Sequence, residues 1–384
     1  MAFALCRYYN RNPACDYYLL HIPEIFCESC SRRRFENIMN FFERSLQIIH
    51  ANQSKHGAYV ASPNFSQYGY CWFRDGSFIS AAMARAGNKK SANKFFRWGF
   101  RVISEQKAQI ERLLAASHEL ITHKDLLPTR YNLDGSLTSD DWPNGQSDGY
   151  GTFLWAVEKY APQDLLNENR ELIEILSKYL IKVWNIPCYD VWEENPEGIH
   201  TSTLFSIAAG LRAAEKILDK ETEWIEVMSF IERELSKDGR LKKSSLSDDV
   251  DASLIWGAVP FELFPVDHPA IVNTVKAIEE KLYINGGVKR FSTDTYFGGG
   301  SWILLSATLA QYYTRSGEFE KARAIRKWIE SHFDSKGLPE QVPEHLIDSS
   351  KYPEWLGRWG EIARPLLWSH ANYLELLLDL GGKS

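Results

Sequence analysis

Cysteine is scarce in this 384-residue chain: there are six, and four of them (Cys6, Cys15, Cys27 and Cys30) crowd into the first segment. The pair Cys27-Glu-Ser-Cys30 has the spacing of a zinc knuckle, but Cys6 and Cys15 lack the tight spacing of a second one. All six are therefore read as unpaired thiols, and no metal or other cofactor is expected. Long hydrophobic runs are missing as well. No stretch reaches the roughly 18 apolar residues of a membrane span, and the N-terminus lacks the charged, apolar, then small order of a signal peptide. The expectation is a cytoplasmic protein without a membrane partner. There is no basic excess either: a net charge of -6 with acid and base interspersed makes nucleic acid an unexpected partner. Strand-like alternation is also rare, which leaves helices to build the fold.

What is abundant is apolar surface and aromatic rings. Hydrophobic residues make up 44% of the chain, enough for a large core, and 13 Trp with 18 Tyr cluster in motif-like segments. Six small-residue-rich stretches are apolar on nearly all sides, as helices buried all round would be. They run over about 75–87, 147–160, 201–218, 248–259, 299–316 and 364–380. More charged segments with a single apolar stripe alternate with them, over about 36–52, 89–116, 165–184, 220–236, 269–282 and 318–333. Six such pairs predict an all-α toroid, an (α/α)6 barrel, with an inner ring of helices enclosed by an outer ring. An open α-solenoid would need capping ends and a recurrent residue pattern, and neither is present. One domain is expected over 36–384. Residues 1–35 are read as an added arm, or as the product of a start assigned upstream of Met39.

The connections differ in length. Returns from a buried to a charged segment are short, as at Gly87-Asn88-Lys89, whereas those from charged to buried are long: 53–74, 117–146, 185–199, 237–247, 283–298 and 334–362. In an alternating toroid the long loops all open on one face, and loops held by a rigid scaffold are where function concentrates. Five of the six carry aromatics beside ionisable groups. Tyr68-Gly-Tyr70-Cys-Trp72-Phe-Arg74-Asp75 opens a buried helix, where Asp75 serves equally well as an N-cap or as a ligand group. Asp140-Asp141-Trp142, followed by Gln146 and Asp148, reads as a turn and cap when taken alone. Trp192-Glu193-Glu194 is either a solvated acidic loop or a reactive one. Arg290 and Asp294 have ion-pair spacing ahead of Trp302, and Glu340 follows a proline in a segment that could simply be surface.

Together these motifs point to one chemistry. Hydrolysis of a glycosidic bond with inversion needs a protonated carboxyl at the leaving oxygen. It also needs an ionised carboxylate that activates water on the other face, about 6.5–9.5 Å away. Glu193 and Glu340 could supply these from opposite walls of the toroid. Neighbouring Trp rings offer surfaces for sugar faces and raise an acid's pKa by desolvation, and an Arg–Asp pair offers directional bonds to hydroxyls.

These residues resemble the glucoamylase family, glycoside hydrolase family 15, over roughly 39–380. The resemblance rests on Tyr68-x-Tyr70-x-Trp72-x-Arg74-Asp75, Trp142-x3-Gln146-x-Asp148-Gly149 and Trp192-Glu193-Glu194. It continues through Arg290-x3-Asp294-Thr-Tyr296 with Trp302, Pro-Glu340-Gln341, and Leu367-Trp368-Ser369. It implies an (α/α)6 fold and an inverting exo-α-glucosidase that needs no cofactor, with Glu193 as general acid and Glu340 as general base. Tyr68 and Ser369 would hold the base and its water. Trp72, Arg74, Asp75 and Trp368 would line the pocket for the terminal glucose, and Trp142, Trp192, Glu194, Arg290 and Trp302 would hold that sugar or the next. The β-sandwich and starch-binding modules that many members carry are not expected here. The expected substrates are therefore maltose, isomaltose or short α-glucans rather than raw starch. A trehalase or an isomalto-oligosaccharide glucosidase is the alternative within enzymes, and a non-catalytic carbohydrate-binding or regulatory domain the alternative outside them. Linkage and oligomeric state are not legible.

Overall fold

The computed structural model describes residues 28–381, with side chains from residue 40. Cys6, Cys15 and Cys27 lie outside the described residues, as does the Cys30 side chain, so the zinc-knuckle spacing has no structural counterpart to weigh. The first helix among the described residues, α1 (Glu28–Ala51), crosses the expected arm boundary at residue 35 without a break. It is followed by α2 (Phe73–Arg85), α3 (Lys89–Glu105), α4 (Lys107–Ala115), α5 (Asp148–Tyr160), α6 (Gln163–Glu168) and α7 (Arg170–Val183). The order continues with α8 (Thr201–Leu218), α9 (Trp224–Glu234), α10 (Pro269–Lys281), α11 (Ile303–Ser316), α12 (Phe319–Ser331), α13 (Lys351–Trp359) and α14 (Leu367–Gly381).

The inner helices close a ring. α2 packs on α5, α5 on α8, and α8 on a 3-10 turn at Ala252–Gly257; that turn meets α11, α11 packs on α14, and α14 returns to α2. The inner helices are buried along nearly their whole length because their residues are small and apolar on every side; α2 is buried from Phe73 to Ala84. Small residues also set the spacing. A Cβ on Gly151 of α5 would lie 2.2 Å from the Ser206 carbonyl oxygen of α8, and one on Gly210 would lie 2.5 Å from the Gly151 carbonyl oxygen. Only glycine lets these two backbones approach so closely. Around this ring α1, α3, α7, α9, α10 and α12 turn one apolar stripe inward.

Three expectations are corrected. The segment at 248–259 is not a full helix but the short 3-10 turn, started by Asp251, whose carboxylate accepts from the Ser253 amide at 2.9 Å. It stops because Pro260 has no N–H to continue a helical ladder. The charged segments at 89–116 and 165–184 are each two helices, broken at Gln106 and Asn169. The last long loop is not purely irregular, since it carries α13.

Two-residue strands tie the loops together on the face where the inner helices begin. β1 (Cys71–Trp72) pairs with β2 (Arg130–Tyr131), and β3 (Ser236–Lys237) with β4 (Arg240–Leu241). A four-stranded sheet runs β5 (Tyr283–Ile284), β6 (Gly287–Val288), β7 (Ser301–Trp302), β8 (Gln341–Val342). Its register sets Trp302 opposite Gln341, which places Glu340 at the sheet's edge beside the ring.

Candidate active site

The long loops enclose one deep pocket of about 680 Å³ at the N-terminal ends of the inner helices. The lining brings together twelve of the thirteen residues expected from sequence: Tyr68, Trp72, Arg74, Asp75, Trp142, Trp192, Glu193, Glu194, Arg290, Trp302, Glu340 and Trp368. The thirteenth, Ser369, is fully buried behind it and donates to the Pro339 carbonyl at 2.8 Å. Its proton therefore braces the backbone next to Glu340 rather than entering the pocket. The floor is closed: Trp368 stacks on Phe78 of α2 at 5.0 Å between centroids and leans on Trp256 at 5.6 Å.

Glu193 sits on a backbone of φ +68°, a left-handed conformation unusual for a side-chain-bearing residue. Asp190 holds it there: one carboxylate oxygen accepts both the Trp192 and the Glu194 amides at 2.9 Å, so the loop turns tightly around Glu193. Asp190 is fixed in turn by the Lys243 ammonium 3.3 Å away, which also meets Asp251 at 3.0 Å. The Trp192 indole N–H donates to that same Asp251 at 2.9 Å. Trp192 is thus oriented by a buried acid as well as by packing.

The Glu193 carboxyl accepts from the Trp72 indole N–H at 2.6 Å, with an Arg74 guanidinium nitrogen 3.8 Å away. Burial raises its pKa, and Arg74 and the Trp72 N–H only partly oppose that. Arg74 is held by Asp148 at 2.9 Å and the Gln146 side-chain Oε1 at 2.8 Å. Burial works against its charge, but Asp148, Asp75 and Glu193 outweigh it and keep the guanidinium firmly protonated. Asp75, beside it, is pushed up to about 7 by burial, against the pull of Arg74.

On the opposite wall Glu340 accepts from the Tyr68 hydroxyl at 2.9 Å, and that hydroxyl lies 3.1 Å from the Tyr296 hydroxyl. Its other oxygen, Oε2, is buried with no partner among the described residues. Burial pushes Glu340 up to about 8, with the Tyr68 hydrogen bond and Arg290 pulling the other way. Arg290 lies in the buried fork of Asp294, with Nε 2.8 Å from Oδ2, and extends a nitrogen to Glu194 at 3.2 Å. Burial raises the pKa of Glu194 too, with Arg290 opposing.

Several contributors had no role assigned from sequence. Asp190, Lys243 and Asp251 form the support under Glu193 and Trp192. Tyr296 adds a hydroxyl beside Tyr68. Arg130 lies under the mouth, its guanidinium 3.8 Å from the Trp142 ring centre and ion-paired with Asp140. Trp355, Arg358 and Trp359 of α13 form the outer rim. Asp190 carried a readable signal, since an Asp two residues before a Trp-Glu-Glu run can accept the amides that follow it.

Two carboxyls from opposite walls, one under an indole and a guanidinium and one under a phenol, in an aromatic pocket closed at its floor, define a glycoside hydrolase. Comparison with known proteins agrees. The profile described as glycosyl hydrolases family 15 matches residues 40–354, and the chain belongs to that family. It is 40% identical over 349 residues to the isomaltose glucohydrolase of Kribbella flavida, covering 87% of this chain and 91% of that protein. It is 26% identical to trehalase 1 of Sulfolobus acidocaldarius, covering 83% of this chain but only 57% of that longer protein. Among solved structures, a wild-type glycosidase superposes with a TM-score of 0.86 at 38% identity, covering 91% of this chain and 98% of that one. A variant of the same glycosidase has been solved in complex with glucose. No helix among the described residues is long and apolar enough to cross a membrane.

Proposed function

We propose that this enzyme is an inverting exo-α-glucosidase that removes the terminal glucose of disaccharide-sized α-glucosides, isomaltose first among them, as β-glucose. One observation carries the reading: Glu193 and Glu340 face the same closed-floored pocket from different loops, Glu193 under the Trp72 N–H and Arg74 and Glu340 under the Tyr68 hydroxyl. Glu193 lies where the glycosidic oxygen of a sugar seated on Trp368 would arrive. Its burial favours the protonated form that a general acid needs. Glu340 presents its unpartnered Oε2 to the opposite side of the sugar, where it takes a proton from water. The water oxygen bonds to the anomeric carbon as the bond to the leaving oxygen breaks, and that oxygen receives the Glu193 proton. Glu340 must be ionised for this step, although burial lifts it to about 8. The water's own hydrogen bond to Oε2 favours the ionised form, as do Tyr68 and Arg290.

Arg74 and Asp75 bind the hydroxyls of the terminal glucose, while Trp72 and Trp368 cover its faces. Trp142, Trp192, Glu194, Arg290 and Trp302 contact that sugar or the next. Isomaltose is placed first because the relative that is 40% identical along nearly its whole length is an isomaltose glucohydrolase. The pocket size fits a short substrate, since about 680 Å³ lies within the usual range for compact ligands. A floor sealed by Trp368 and Phe78 suits attack at a chain end only. The free, buried thiols of Cys71 and Cys188 are compatible with the cytoplasmic setting that completes the proposal.

Proton NMR of the purified enzyme with isomaltose, maltose and trehalose in parallel tests the reading. β-Glucose appearing first from isomaltose is the expected result. α-Glucose first would refute inversion, and hydrolysis of trehalose alone would move the enzyme to the trehalases of the family.

A further inference from the structure

The barrel has a second cavity, at the end opposite the active site. The catalytic pocket uses the N-terminal ends of the inner helices, whereas this cavity of about 230 Å³ is lined by their C-terminal halves. Arg85 ends α2, Lys159 lies in the last turn of α5, and Arg315 lies in the last turn of α11. From Arg74 in one pocket to Arg85 in the other is about 16 Å along the same helix. Phe78 and Trp256 line the rear cavity and also support Trp368, so the two pockets share an aromatic partition.

The charges around the rear cavity are matched among themselves. Arg85 pairs with Glu375 and with Asp379 at 2.7 Å, while Lys159 and Arg315 each meet Glu262 at 3.0 Å. With Asp379 counted beside the lining, three cations face three carboxyls, so no unpaired charge calls for an ion. What remains is one donor and one acceptor: Trp155 Nε1 and Glu375 Oε1 are buried without a partner among the described residues, and both residues line the cavity. Trp155 is 4% exposed. Gln311 and Asn372 add amide oxygens, their nitrogens already donating to the Asn372 and Leu304 carbonyls and to Thr308, and Phe78, Trp155 and Trp256 supply rings. A cavity with aromatic walls, paired charges and both hydrogen-bonding senses unfilled suits a small neutral molecule whose groups donate and accept at once. Hydroxyls on a single apolar-faced ring meet that description, and the volume is below that of sites for larger ligands.

We propose that the rear cavity is a second binding site for a monosaccharide. Glucose is its occupant, an identification that rests on the proposed activity, since glucose is then the product made on the far side of the partition. Binding there loads Phe78 and Trp256 from behind, and so perturbs the Trp368 floor without competing for the catalytic pocket.

Equilibrium dialysis with labelled glucose tests this on the intact enzyme, alongside the steady-state pattern of glucose inhibition. Two sites per chain are expected, with inhibition of mixed rather than purely competitive form. Trp155→Phe removes the free N–H, and with it part of the aromatic wall, while keeping a ring at the position. It should weaken the second site about fivefold, one neutral hydrogen bond's worth, and leave kcat without added glucose unchanged within about twofold. Gln311→Leu, which strips a polar group from the same cavity, should do likewise. Asp75→Ala should abolish only the catalytic-pocket site. A single site that disappears in Asp75→Ala and is untouched by Trp155→Phe and Gln311→Leu would overturn the rear site while leaving the glucosidase reading intact. A rear site that persists when Asp75→Ala changes nothing would instead count against the glucose pocket at the front.

Discussion

Tyr68→Phe isolates the control of Glu340, the proposed general base. The phenol donates to Glu340 Oε1 at 2.9 Å, while its ring packs on Phe65 at 4.6 Å and edge-on to Trp72 at 5.6 Å. Phenylalanine keeps those packing contacts and deletes only the donor. A hydrogen bond to a charged group contributes about 1.5–3 kcal/mol, and one pKa unit corresponds to about 1.4 kcal/mol. The loss therefore disfavours ionised Glu340 by about one to two units. The sign follows from the role: the base acts only when ionised, so raising its pKa moves the acidic limb of kcat/KM upward. On the acid side of the bell the rate should fall about 10- to 100-fold. The peak should fall less, and should narrow as the two limbs approach each other. Tyr296 lies within reach of the vacated position, its hydroxyl now 3.1 Å from that of Tyr68. Tyr68→Phe/Tyr296→Phe should accordingly shift the limb further than Tyr68→Phe does. The assay is a pH profile of kcat/KM on isomaltose with free-glucose detection. An acidic limb that stays in place or moves down, at unchanged thermal stability, would show that Tyr68 does not control the base.

Glu193→Gln should lower kcat by about 10²–10⁴ with KM little changed, the usual contribution of a general acid. It should be far less damaging on an aryl α-glucoside whose leaving group needs no proton; equal damage on both substrates would remove Glu193 from that role. The wild-type bell should lie above the range of free carboxylic acids, because burial lifts both Glu193 and Glu340; an optimum at or below pH 4.5 would contradict the burial argument. Glu340→Gln, which is expected to be inactive, should be more heat-stable than wild type by a margin that grows from pH 4.5 to 8. A buried acid held at about 8 binds its proton more tightly folded than unfolded, so wild type loses stability as pH rises through that window while glutamine does not; a margin independent of pH in differential scanning calorimetry would count against this. Gly151→Ala should destabilise by about 1–3 kcal/mol, because the new methyl group meets backbone rather than a movable side chain; an unchanged melting temperature would show that α5 and α8 separate easily.

The sequence displayed the ring of helices because each inner helix is apolar all round and each outer one has a single stripe, a contrast that survives without coordinates. It failed where local chemistry overrode periodicity. At 248–259 the apolar run looked helical, but Asp251 turns its carboxylate onto the following amide and Pro260 ends the ladder, leaving a 3-10 turn. The candidate site was legible as clustered loop motifs because reactive carboxyls and sugar-facing rings are conspicuous residue types. Its supports were not. Lys243 and Asp251 are ordinary in sequence, and only the fold brings them under Trp192 and Asp190, from 53 and 61 residues beyond Asp190. Ser369 shows the converse: the motif located it correctly beside Glu340, but the hydroxyl points to the Pro339 carbonyl, a direction no motif encodes.

The supports explain how the site keeps its two acids in unfavourable states. A non-glycine residue at φ +68° costs on the order of 1–3 kcal/mol, and burying Glu193, Asp75 and Glu340 raises all three acids. Neither condition would persist on a loop free to relax, since a small rotation would release the backbone and admit solvent to the carboxyls. Asp190 removes the first escape by accepting two amides around Glu193, and Lys243 fixes Asp190 from a separate loop. The second is blocked on the Glu340 side by β8, whose pairing with β7 fixes the residue before it, and by the Glu340 amide bonded to the Ala363 carbonyl at 2.9 Å. Both carboxyls are therefore clamped through their own backbones, and neither clamp draws on the side-chain oxygens that meet substrate. The strain at Glu193 and the burial at Glu340 are separable in consequence. Loosening Asp190 should relax the proposed acid, Glu193, without moving the proposed base, Glu340, so the two limbs of the pH profile should respond one at a time.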